Sequence, residues 1–171
     1  SADIVFEVGG QHATTSANTK KRKSVHTRFY AHRLILMKVA PLLAELCVTS
    51  HESPQCIGIS NISPDVFEIM LLQIYGHQIQ FEKCSGNHHA LIEAANKYGL
   101  TNLKLEAEAD YVSCIKKTFD LQNIMEHLLD ADAMNLAYLR EVVVDFIVEN
   151  KMELMKQNVL MNAPGGVLND V

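Results

Sequence analysis

Two residues that could exchange a proton, Asp3 and His32, lie early in the chain, where a carboxylate could serve as base and an imidazole as acid. A second group, His77, Cys84, His88 and His89, offers metal-type ligands. The spacing Cys84-x3-His88-His89 is not that of a structural zinc site, and neighbouring histidines on a helix point apart. Solvent-exposed loop histidines are the simpler reading, and no metal or other cofactor is expected. Lys20-Lys21-Arg22-Lys23 could bind phosphate or direct nuclear import; it equally fits a solvated loop tip. Gly9-Gly10 lacks the third glycine and following helix of a dinucleotide site, and the chain holds neither a serine nucleophile elbow nor HExxH. Catalysis is therefore the weakest reading, and no enzyme is expected.

The chain has 171 residues, 48% of them hydrophobic, enough for one substantial core and the beginning of a second. The first forty residues carry seven Lys/Arg against two acids, whereas the rest carries eight against eighteen, for a net charge of −5. That acidic majority argues against nucleic acid as partner. No apolar run approaches the roughly 20 residues of a membrane span, and the start has no signal-peptide pattern. Cys47, Cys56, Cys84 and Cys114 form no CxxC pair, so reduced thiols are expected, in the cytoplasm or the nucleus. Asn61-Ile62-Ser63 matches a glycosylation sequon, which has meaning only in a secreted protein. A first residue of Ser and an end at Asp170-Val171 suggest a piece of something larger.

Ile4 to Val8 reads as a short strand buried on both faces, ended by Gly9-Gly10. Residues 11–25 read as an exposed mobile loop, and 25–30 as the returning strand. Leu34, Ile35, Leu36 and Met37 are apolar nearly all round, which predicts a buried helix. Pro41 marks a fresh helix, and Cys56–Ile59 a short strand. Ser63-Pro64-Asp65 starts a helix carrying Val66, Phe67, Met70, Leu71 and Ile74, and Gly76 stops it. Gln78–Phe81 alternates like a strand. Helices are predicted over 88–98, 102–116, 120–131 and 136–155. Strands early and helices late make an α+β core leading into a helical extension. Met125, Met134, Met152, Met155 and Met161 gather in the last third, and inter-helix packing is the ordinary role for such residues.

Several separated stretches, in this order, resemble the BTB/POZ domain. They are Asp3 opening the first strand, Phe29 with Ala31-His32 at the strand-to-helix corner, and Ala40-Pro41-Leu42-Leu43. Pro64-Asp65-Val66-Phe67 through Ile74-Tyr75-Gly76, then Ala94-Ala95-Asn96-Lys97-Tyr98-Gly99-Leu100 with Leu103-Lys104, complete the set. Ala40 stands where the family has Ser, and a leucine follows Pro41 where it has an aromatic residue. Leu121 to Val148 resembles the helical extension that follows BTB domains in ubiquitin-ligase adaptors. The resemblance implies a BTB/POZ fold over 1–116 with a small three-to-five-stranded sheet flanked by helices. A BACK-like helical extension would then cover 117–157, and a linker or tail 158–171.

What the family implies is assembly, not catalysis. Asp3 and His32 become structural, with His32 satisfying buried backbone or Asp3. A homodimer would pack the first helices together through Leu34, Met37, Leu42, Leu43 and Leu46. An apolar-x-Glu motif that docks a cullin-3 scaffold aligns with Ser50-His51-Glu52, followed by Ser53, with Tyr75 a further candidate and the helices after 120 extending the contact. Ser50 occupies the apolar anchor position. The implied role is a dimerising substrate adaptor of a cullin-3 ubiquitin ligase, its substrate held by a region outside this chain. A BTB scaffold that never meets cullin is the main alternative, and a tetrameric channel-type assembly domain a more distant one.

Overall fold

The computed structural model describes residues 2–9, 26–47, 54–81 and 86–156. Two compact units divide between Lys104 and Leu105. In the first, a three-stranded mixed sheet has the order β2-β1-β3. Strand β1 (Ile4–Val8) pairs antiparallel with β2 (Thr27–Ala31) and parallel with β3 (Gln55–Ile59). Its central place explains why four of its five residues are buried. A parallel neighbour needs a crossover, which α1 (Arg33–Val39) and α2 (Pro41–Ala44) supply. Register sets Phe6 opposite Phe29. Phe67 of α3 (Pro64–Ile74) rests on both rings, at centroid distances of 5.1 and 5.3 Å. Such aromatic pairs add about 0.5–1.5 kcal/mol each beyond area burial, so they seat α3 on the sheet. Helix α4 (His88–Lys97) packs beside α3.

The corner between β2 and α1 is held from a distance. His32, the residue before α1, makes no side-chain cap, and the first turn of α1 has no acid. Asp3, thirty residues earlier, supplies the missing acceptor: its Oδ1 takes the N–H of Arg33 at 2.9 Å. Arg33 itself donates to the Cys47 carbonyl at 3.1 Å and to Gln55 Oε1 at 2.7 Å. The end of α2 and the start of β3 are thereby tied to the start of α1. His32 is satisfied by Tyr75 rather than by Asp3: its N–H donates to the Tyr75 hydroxyl at 2.9 Å, and Nδ1 lies 2.8 Å from that oxygen. Both groups are satisfied when the hydroxyl proton points at Nδ1 and the imidazole proton is on Nε2.

Helix α5 (Thr101–Ile115) runs across the boundary into the second unit, where a 3-10 turn at Lys116–Thr118 leads to α6 (Ile124–Ala133), α7 (Ala137–Glu149) and α8 (Lys151–Lys156). Asp120 Oδ1 accepts from Gln122 and Asn123 N–H at 2.8 and 2.7 Å, which closes a turn, and regular helix starts at Ile124 rather than at the expected residue 120. Asn135 takes the left-handed conformation (φ 53°) that turns α6 into α7. Leu136, which precedes α7, has no capping side chain. Buried Glu108 of α5 caps it instead, its Oε1 accepting from Tyr138 and Leu139 N–H at 2.8 and 3.0 Å.

Three expectations change. Gln78–Phe81 is not a strand; it has no strand partner among the described residues, and alternation alone cannot make a ladder. The helix expected over 136–155 breaks at Asn150 into α7 and α8. Helix α1 is not buried all round, since only Leu36 of it is buried. No helix among the described residues is long and apolar enough to cross a membrane.

The Arg33 N–H holds the Asp3 carboxyl below its ordinary pKa, against a smaller opposing push from burial. A carboxylate with a depressed folded pKa contributes its full stability above the unfolded value and loses it as pH falls through the folded one. Asp3→Asn is therefore expected to be less stable than the parent near pH 7, with the gap closing as the pH drops below about 4. Urea unfolding across pH reads this; a gap that does not change with pH would rule out the charge. Glu108→Ala leaves the part-buried Tyr138 N–H and the buried Leu139 N–H without their acceptor and is expected to cost about 1–3 kcal/mol, seen as a lower Tm; an unchanged Tm would contradict the cap.

Candidate interaction surface

Among the described residues of the first unit, α1, α2 and the turn after them carry most of the exposed large apolar side chains. Leu36 and Leu43 point inward and are fully buried, and buried Ala40 joins the two helices. Five other apolar residues face out: Leu34 is 79% exposed, Met37 61%, Val39 47%, Leu42 44% and Leu46 40%. Isolated exposed leucines are ordinary on protein surfaces, but five large apolar residues within thirteen positions form a patch that calls for a partner. Of the residues expected at a dimer interface, Leu34, Met37, Leu42 and Leu46 lie in this row. Leu43 belongs to the core.

The row is held rigidly. Pro41 occupies the first turn of α2, where its missing N–H costs nothing. Gly99, which follows α4, adopts φ +68°, and a side chain there would come within 3.1 Å of Leu42 Cδ1. Glycine thus lets the α4–α5 turn lie close under Leu42. Next to the row, Arg33, Met37, Pro41, Ala44, Glu45 and Cys47 line an open depression of about 390 Å³. Burial pushes the Cys47 thiol up, with Arg33 opposing, so it is not poised as a thiolate nucleophile.

Among the described residues, those singled out from sequence for catalytic or ligand chemistry are not brought together into one site. Asp3 and His32 bond to Arg33 and Tyr75, as described above. His77 and His89 are exposed, whereas His88 is buried in the first turn of α4 rather than in an exposed loop. Cys84 and the basic run Lys20–Lys23 lie outside the described residues. So do Ser50, Glu52 and Ser53 of the expected cullin-docking motif. Tyr75 is half-buried, with its hydroxyl on His32. Arg33 was not singled out from sequence, yet it donates to Cys47 and to Gln55, on either side of the segment where the docking motif was expected. An arginine behind a helix-starting histidine gives no local sign of such a role.

A BTB/POZ domain family profile matches residues 21–114. The chain is 26% identical over 172 aligned positions to a BTB/POZ and MATH domain-containing protein 4 of Arabidopsis thaliana, covering 92% of this chain and 33% of that protein. It is 26% identical to TD and POZ domain-containing protein 4 of Mus musculus, over 75% of this chain and 34% of the relative. With Armadillo BTB Arabidopsis protein 1 it shares 30% identity, over 76% of this chain and 17% of that protein. The chain thus spans about a third or less of the length of these relatives. BTB/POZ domains mediate protein–protein interaction and dimerisation and are not a catalytic family. A mixed sheet ordered β2-β1-β3, helices packed around it and a profile match over more than half its length make this chain a member of the BTB/POZ domain family.

Proposed function

We propose that the chain is a self-associating adaptor that brings a substrate protein to a cullin-3-based ubiquitin ligase. The exposed row Leu34, Met37, Leu42 and Leu46 carries the self-association part of this reading, because it is apolar surface that a second copy of the same row would cover. The Glu52-Ser53 pair, matching the family's cullin-docking motif, supports the ligase part. Two relatives are named for a MATH or an armadillo region beside the BTB one. A region of that kind, outside this chain, would hold the substrate. The chain itself would do no chemistry; two copies together would raise the local concentration of substrate at the ligase.

A specific observation favours a second reading, a scaffold that does not meet cullin. Ser50 buries little area where an apolar anchor belongs, and anchors dominate interface energy. Calorimetric titration with the N-terminal domain of cullin-3 separates the two. The adaptor reading expects micromolar or tighter binding, weakened roughly tenfold or more by Glu52→Lys and strengthened by Ser50→Leu. No binding by the parent with gain in Ser50→Leu would favour the scaffold. Silence from all three proteins would remove cullin-3 from the account.

A further inference from the structure

Two charges of opposite sign stand beside the apolar row of the first unit, one on each helix. Helix α1 holds the bases Arg33 and Lys38 and no acid. Helix α2 holds no charge of its own and is followed by Glu45. Lys38 and Glu45 are both exposed, and neither forms an ion pair among the described residues. Arg33 differs from them: it is half-buried, and its guanidinium already donates to the Cys47 carbonyl and to Gln55 Oε1.

The depression of about 390 Å³ beside the row has Met37, Pro41 and Ala44 in its walls and is also lined by Glu45 and Arg33; Lys38 does not line it. A lysine suits such a place, because its long stem can lie on apolar walls while its ammonium meets a carboxylate. A leucine would cover Glu45 without giving it a partner, and an acidic side chain would set like charges together. Two-fold pairing makes every contact reciprocal, so one lysine and one depression on each copy yield two equal contacts. Packing α1 on α1 instead would bring Lys38 toward Lys38 of the second copy, with no acid on either helix to offset them.

We propose that Lys38 of each copy enters the depression of the other and meets Glu45 there, so that the surface selects a second copy of this chain by charge as well as by apolar contact. This pairing rests on the self-association reading and names the contact that sets its register and its choice of partner.

Charge exchange read by sedimentation equilibrium tests it. Lys38→Glu alone and Glu45→Lys alone are each expected to weaken self-association roughly tenfold or more, because each sets like charges together in both contacts. An equimolar mixture of the two single variants is expected to regain the parent's dimer mass, since opposite charges then meet in both contacts. The double variant Lys38→Glu with Glu45→Lys is expected to pair with itself for the same reason. Each variant should unfold within a few degrees of the parent, as both positions are exposed, and the parent's self-association should weaken as salt rises. Single variants that associate as the parent does, or a mixture that stays monomeric, would overturn the pairing while leaving the apolar row in place. A monomeric parent would remove the self-association reading and the pairing together.

Discussion

The hydrogen bond from the Arg33 N–H to the Asp3 carboxylate fixes the direction in which α1 leaves the sheet. Strand β1 is the central strand, bonded on both edges, so Asp3 at its start is a fixed point. With no acid in its own first turn, α1 takes its N-terminal acceptor from that point. Once the helix is aimed this way, Leu36 points into the core and Leu34 and Met37 point out. The guanidinium of the same Arg33 ties Cys47 and Gln55 to the corner. One residue pair therefore governs three things: the seat of α1, the apolar row on its outer face, and the flanks of the segment that carries Glu52.

Local signals in the sequence were sound where the structure is decided locally. Ser63 and Pro64 start α3 as their chemistry requires, with Ser63 Oγ accepting from Val66 N–H. Gly76 ends that helix at φ +76°, and Ile4 to Val8 is buried as a central strand should be. Legibility failed where the answer is set at long range. The caps on α1 and α7 come from Asp3 and Glu108, each about thirty residues away in sequence, and nothing beside them reveals the partner. Gln78–Phe81 alternates correctly, but a strand also needs a neighbour. Composition made Leu34 and Met37 look like core because apolar side chains suit a core and a partner surface equally.

On the proposed reading, the exposed row on α1 and α2, with Arg33, Lys38 and Glu45 the charges beside it, is the surface that a second copy would cover. The chain belongs to a family of protein–protein interaction domains, and Asp3, His32 and Tyr75 hydrogen-bond within its fold. On the proposed reading, self-association and docking act together, because two linked copies bind a two-site target with greater avidity than one.

Sedimentation equilibrium of this chain, beside a Leu34→Asp and Met37→Asp double variant, tests the central claim most directly. Both substitutions fall on exposed positions, so the variant should keep the parent's thermal unfolding. The account predicts a dimer mass for the parent at micromolar concentration and a monomer mass for the variant. A parent that stays monomeric, or a dimer that survives both aspartates, would contradict it.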